Sequence, residues 1–268
     1  LIDSGKVPVA RLTEIYRQTG SSRIITAAHE VNVGNLPPLD SPAEADFFFF
    51  ERDNPEATLD TLVHLIRERI PESFRFDPRD DIQILTPMNK NSLGTQALNQ
   101  SIQAVLNPPA ELKFEIERFG STFRTGDKVI QTRNNYDHEV FNGDIGHIRD
   151  ITTEPVRIEV VFDGEHVVEY EPGDLDELQL AYAITIHKSQ GSEFPVVVIP
   201  LSTQQYVLLQ RNLLYTGITR GKKLVILVGE KKALQMAVGN QESSRRWTGL
   251  KHRLQEEESP IQEGLLPD

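Results

Sequence analysis

Between residues 121 and 177 the sequence changes texture, and this interruption constrains the fold more than any other feature of its 268 residues. Strand-like runs at Lys128–Thr132, Gly146–Ile151, Arg157–Phe162 and His166–Tyr170 alternate there with turns at Asn142-Gly143-Asp144 and Asp163-Gly164. Short, evenly spaced strands joined by Gly- and Asp-containing turns predict a small β-barrel or meander. On either side the pattern is α/β. Upstream, Ser21-Ser22 are N-cap residues for a helix over 23–33, Pro37-Pro38 break the chain, and 46–51 reads as a short buried strand. Leu59, Leu62, Val63 and Ile66 have helical spacing from Pro55 to about Ile70, followed by a strand at Ile82–Thr86 and a helix from Ser92 to about Leu106. Downstream the pattern predicts a helix at Tyr182–Gln190, a strand at Val196–Pro200 and a helix at about Gln205–Thr219. A strand at Leu224–Val228 and a helix from Lys231 follow. The expected architecture is an α/β domain of residues 1–121 and 178–256, interrupted by a β-module at 122–177. Residues 257–268 are acidic, contain two prolines and are expected to be disordered.

The chain has no cysteine, which excludes a disulfide framework, a thiolate zinc site and a thiol nucleophile. No apolar run approaches the ~18 residues that span a bilayer. Leu1–Lys6 carries no secretory pattern, so a cytoplasmic protein is expected. These first residues read as the end of an element, the mark of a fragment. The net charge of −12 is unevenly spread. Residues 139–177 hold 12 acidic and 2 basic side chains, whereas 178–255 hold 3 acidic and 11 basic. Such segregation fits solvated faces, and it also fits a local phosphate-facing surface on a chain kept soluble elsewhere by acid.

Three segments carry chemistry: Tyr16-Arg17-Gln18; Thr185-Ile186-His187-Lys188-Ser189-Gln190-Gly191-Ser192-Glu193-Phe194; and Leu214-Tyr215-Thr216-Gly217-Ile218-Thr219-Arg220. Ligands of α/β sheets gather at element ends. An Arg closing a helix and a Gln-Gly-Ser-Glu loop entering a strand can converge there on one anion. The Gly-x-x-x-x-Gly-Lys-Ser/Thr loop that cradles a nucleotide's phosphates is not in the sequence, nor is an apolar strand ending in paired acids for Mg²⁺.

At these segments the chain resembles the second motor domain of RecD-like superfamily 1 helicases, the 5′→3′ branch. Tyr16-Arg17-Gln18 is similar to that family's motif IV, Ala183–Phe194 to motif V and Leu214–Arg220 to motif VI. Leu85-Thr86-Pro87-Met88-Asn89-Lys90-Asn91 resembles its strand-exit loop on DNA. Gly126–Val129 and Phe141–Gly146 resemble the run into its inserted SH3-like barrel. The resemblance implies a RecA-like parallel sheet of the phosphate-loop NTPase type, lacking the loop itself and interrupted by that barrel. It further implies ATP with Mg²⁺ as cofactor, the Mg²⁺ ligands lying in a first motor domain. Single-stranded DNA and that first motor domain are the implied partners of a monomeric motor with no membrane role.

Arg17 and Arg220 would act as catalytic arginines on the γ-phosphate, where a donated guanidinium contributes roughly 10³–10⁵ in rate. Gln190 would sense that phosphate beside Gly191, and Glu193 would bond a ribose hydroxyl or orient an Arg. Tyr16 either stacks on adenine or packs at its helix entry. Thr86, Asn89, Lys90, Thr185, His187, Lys188 and Ser189 would face the DNA backbone, on the opposite side of the predicted 182–190 helix from the nucleotide. No metal role is assigned to His187, which has no partner ligand nearby in sequence. Arg133, Asn135, Tyr136 and His138 mark the only part of the acidic barrel suited to DNA. A motor belonging to a conjugative relaxase or an exonuclease subunit, and a non-catalytic binding module, are the alternatives.

Overall fold

A computed structural model of the chain describes residues 2–10, 22–111, 113–118, 120–162, 164–241 and 249–255. The chain divides into two compact units, Leu1–Thr19 with Glu242–Asp268, and Gly20–Gln241. In the first, a 3-10 turn at Ile2–Ser4 and helix α7 (Leu250–Gln255) touch each other. The expected disorder of 257–268 and the 16–18 motif lie outside the described residues.

The second unit is built on a five-stranded parallel sheet ordered β1-β12-β11-β2-β10. Its strands are β1 (Phe47–Glu51), β2 (Ile82–Thr86), β10 (Ala183–Thr185), β11 (Phe194–Leu201) and β12 (Gly221–Gly229). The central strands are apolar almost without alternation because both faces are covered. Ile82, Ile84, Val196, Val198, Leu224 and Ile226 point into one core. They meet Leu62 of α2 (Pro55–His64), Ile70 of α3 (Ile70–Phe74), and Leu98 and Ile102 of α4 (Thr95–Leu106). Val197, Ile199, Val225 and Leu227 point the other way, onto α1 (Arg23–Val33), α5 (Arg211–Ile218) and α6 (Lys231–Gly239). This is the expected RecA-like arrangement.

Local chemistry sets the element ends. Gly34, at φ 95°, closes α1. Ser22 caps α1 only by backbone, since its hydroxyl donates to Asp46 Oδ2 at 2.5 Å. Pro71 has no N–H to continue the ladder, and the chain passes from α2 to α3 through a π-turn at Leu65–Arg69, with Ile70 N–H donating to Leu65 O.

Two helix expectations are corrected. Tyr182–Gln190 is not helical: Ala183–Thr185 is an edge strand and 186–191 are turns. Ile184-Thr185-Ile186 is a β-branched run, and β2 offers it a full row of partners. The helix expected at 205–219 shrinks to Arg211–Ile218, because Ser202 caps a separate 3-10 turn at Thr203–Gln205.

The inserted module is an antiparallel sheet ordered β8-β7-β6-β5-β9. It comprises β5 (Lys128–Gln131), β6 (Ile145–Thr153), β7 (Val156–Phe162), β8 (His166–Tyr170) and β9 (Leu178–Leu180), preceded by a hairpin of β3 (Glu115–Arg118) and β4 (Ser121–Arg124). Its core residues Val129, Ile148, Val160 and Tyr170 belong to the same apolar cluster as Ile82 and Leu98 of the parallel-sheet domain. The module is packed onto that domain, with no linker between them.

Candidate functional site

The strand register places motifs V and VI and the strand-exit loop. Thr185 stands beside Thr86 at the carboxyl end of β2, and Ile186 N–H donates to Thr86 O at 3.0 Å. The next strand, β11, begins at the other edge, where Phe194 pairs with Gly221 and Val196 with Ile82. Residues 186–193 therefore run the length of the sheet, roughly 13 Å for the four residues from Ile82 to Thr86. They cross on the face where Ile186 joins the core of α1, α5 and α6. Motif V is a strap between the two edges of the sheet.

The strap is held by its own short-range bonds. Thr185 Oγ1 accepts from Lys188 N–H at 3.2 Å, Thr185 O from Ser189 N–H at 3.2 Å, and Ile186 O from the Ser189 hydroxyl at 2.7 Å. Gln190 N–H donates to His187 O at 3.3 Å, and Gly191 makes the turn at φ 89°. His187 and Gln190 are exposed, Glu193 is half-buried, and Ser189 is fully buried. Lys188 is half-buried and reaches Gln179 of β9 at 3.2 Å; burial lowers its pKa.

At the carboxyl edge, Asn89 and Lys90 stand in solvent on a turn pinned to the start of α4. Thr95 N–H donates to Met88 O at 3.0 Å, Gln96 N–H to Asn89 O at 3.2 Å, and Thr95 Oγ1 to Asn89 Oδ1 at 3.0 Å. Thr86 is fully buried; its hydroxyl donates to Leu93 O at 2.7 Å and accepts from Gln205 Nε2 at 3.3 Å. Thr86 and Ser189 therefore differ from expectation: their hydroxyls shape the loops from beneath and do not reach a strand lying on the surface.

At the amino edge, Arg220 closes α5. Its Nε donates to Thr216 O at 3.2 Å, one terminal nitrogen to Ser192 O at 3.1 Å and the other to Thr219 Oγ1 at 3.2 Å. Phe194 N–H donates to Arg220 O at 2.9 Å, and Glu193 pairs with Lys222 at 3.2 Å. The guanidinium is thus fixed directly against the end of the strap. Arg220 meets the strap at Ser192 and Phe194, the residues flanking Glu193, whereas Tyr16 and Arg17 lie outside the described residues. The guanidinium, held by Thr216, Thr219 and Ser192, is a pre-oriented candidate donor to an anion. Among the described residues no group of three His, Asp or Glu side chains could hold a metal ion, and no helix is long and apolar enough to cross a membrane.

Three positioning residues escaped sequence reading. Asn99 of α4 clamps β10, donating to Leu180 O at 3.0 Å and Ala183 O at 2.9 Å and accepting from Ala183 N–H at 2.8 Å. Gln83 donates to Ala181 O at 2.9 Å and Tyr182 O at 3.2 Å. Gly94 lets the Asn89–Lys90 backbone close onto α4. None of the three was singled out by the sequence, in which Gly94 falls inside the helix expected from Ser92 and the observed helix starts only at Thr95.

The solved structure of Bacteroides Pif1 bound to single-stranded DNA shares this architecture with a TM-score of 0.51 at 18% identity, covering 84% of this chain and 52% of that one. That likeness is one of fold. The family model for the ATP-dependent RecD-like DNA helicase SH3 domain matches residues 98–162, and that for the UvrD-like helicase C-terminal domain matches 180–228. The ATP-dependent RecD2 DNA helicase of Deinococcus radiodurans is 35% identical over 247 residues, 92% of this chain and 32% of that protein. The RecBCD enzyme subunit RecD of Haemophilus influenzae is 30% identical over 171 residues, 64% of this chain and 24% of that protein. The chain belongs to the RecD-like superfamily 1 helicases. It spans about a third or less of the length of these relatives.

Proposed function

We propose that the chain is the second motor domain of an ATP-dependent DNA helicase that moves 5′→3′ along single-stranded DNA in the cytoplasm, with residues 122–177 as its inserted barrel. The observation that carries this reading is the strap: one segment of eight residues meets Arg220 at the amino edge and, at the carboxyl edge, Thr86 at the end of the strand that leads into Asn89 and Lys90. Arg220, Gln190, Gly191 and Glu193 face the nucleotide. Asn89, Lys90, Thr185, His187 and Lys188 face the DNA backbone, with Thr86 and Ser189 supporting them. Bound ATP supplies a γ-phosphate whose charge the fixed guanidinium neutralises, and its Mg²⁺ ligands belong to the first motor domain. Arg17 joins this set on its motif alone. When nucleotide contacts pull Ser192 and Gly191, the strap transmits the shift to the DNA grip.

On this reading the isolated chain hydrolyses no ATP. In a protein carrying both motor domains, Arg220→Ala lowers the ATPase kcat by about 10³-fold or more. Its nucleotide-free affinity for single-stranded DNA stays near wild type. Normal turnover by this variant would refute the assignment. Assembly as an exonuclease subunit is favoured by the RecBCD subunit RecD relatives, whose matches are shorter than that of the RecD2 helicase.

A further inference from the structure

Two adjacent apolar side chains stand in solvent at the carboxyl edge of the parallel sheet, where packing does not require them. Tyr206 is 62% exposed and Val207 65%, in the turn after Thr203–Gln205. Their neighbours are anchored. Gln205 and Leu209 are each 2% exposed, Gln205 Oε1 accepts from Ser202 N–H at 3.1 Å, and Leu208 N–H donates to Gln205 O at 2.8 Å. The turn presents its two apolar side chains from a fixed base. The Gln205 Nε2 bond to Thr86 Oγ1 at 3.3 Å places that base beside the exit of β2, the strand that leads into exposed Asn89 and Lys90.

We infer that Tyr206, flanked by Val207, is a stacking platform for a nucleobase of single-stranded DNA lying along this edge; the inference rests on reading the edge as the DNA interface. The groups assigned there so far are hydroxyls, amides, an imidazole and ammoniums, which grip phosphates and leave the bases without a partner. A large, planar, exposed ring supplies what they lack. Every base has a π-face, so a tyrosine accepts all four without reading sequence, as a motor that passes along any strand requires. Stacking is also insensitive to counterion release, so it holds the strand while the phosphate contacts slide.

The test is the affinity of the full chain for an oligonucleotide of about 12 nucleotides and for an abasic oligonucleotide of the same length, each titrated across salt. Tyr206→Ala should weaken binding to the normal strand by roughly 5- to 100-fold, with Tyr206→Phe within about twofold of wild type. The slope of log K against log salt stays the same for Tyr206→Ala, and on the abasic strand it binds as wild type does. Lys90→Ala should weaken both strands and reduce the slope by about 0.7. Wild-type binding by Tyr206→Ala beside weakened Lys90→Ala overturns the platform, assigns the exposed pair to a protein surface, and leaves the interface reading standing. Equal weakening of both strands by Tyr206→Ala also overturns the platform. If neither variant weakens binding, the interface reading falls as well.

Discussion

A β-carbon on Gly94 would lie 2.2 Å from Lys90 O and 2.6 Å from Asn89 O. Both obstacles are backbone, so no side-chain rotation relieves them, and the turn that carries Asn89 and Lys90 must move. Gly94→Ala is therefore expected to cost about 1–3 kcal/mol in urea unfolding and to weaken single-stranded DNA binding. Gln100→Ala, an exposed change on the same helix, is expected to do neither; identical behaviour of the two variants would refute this account of the turn. Asn89 and Lys90 were legible in the sequence as a strand-exit loop, because a polar turn after an apolar strand has one place to go. Gly94 was not, since its role depends on how closely another stretch of backbone approaches. Thr86 and Ser189 were legible as motif members but not as buried ones. A hydroxyl that donates to Leu93 O or Ile186 O looks, in sequence, like one that donates to a phosphate.

At the scale of elements, the parallel sheet and its helices were readable because long apolar runs and amphipathic spacing are set locally. The strap was not. Tyr182–Gln190 has spacing that suits a helix, yet only three of its residues enter a strand, too few for alternation to show. What decides the outcome is non-local: β2 supplies backbone partners and Asn99 from α4 binds Leu180 and Ala183. The correction matters for mechanism. On the proposed function a helix would have separated nucleotide and DNA contacts by its two faces, whereas a strap would separate them by its two ends. Gly217 of α5 permits this, since a β-carbon there would lie 2.8 Å from Ile199 Cδ1 and 3.3 Å from Ile186 Cδ1.

At the scale of the whole second unit, the inserted module shares its core with the motor domain through a buried polar seam. Asp127 accepts from Arg124 N–H at 2.7 Å, Gln103 Nε2 at 2.5 Å, Asn107 Nδ2 at 2.6 Å and the Tyr182 hydroxyl at 2.9 Å, while burial pushes its pKa up. Lys128, 3% exposed, donates to Ile82 O at 3.3 Å. Desolvation lowers its pKa to about 8, against the opposing pull of Asp80, Asp81 and Asp77. From about pH 8 to 10.5 the unfolded chain holds this proton and the folded chain does not, so stability attributable to Lys128 rises with pH across that window. Below it, the cost of burying the ammonium is fully present. Lys128→Met should therefore unfold later than wild type at pH 7.5, by about 3 kcal/mol, with the gap closing towards pH 10.5. A gap independent of pH in urea titrations would show that Lys128 is not buried as an ammonium.

On the proposed function, the strap links Arg220 at the nucleotide to the DNA grip at the carboxyl edge. The most direct test of that link is the single-stranded DNA affinity of a protein carrying both motor domains, with and without a non-hydrolysable ATP analogue. Wild type should show a nucleotide-dependent shift in Kd of about 5-fold or more. Arg220→Ala should keep the nucleotide-free Kd and lose the shift; a full shift in Arg220→Ala would contradict the account.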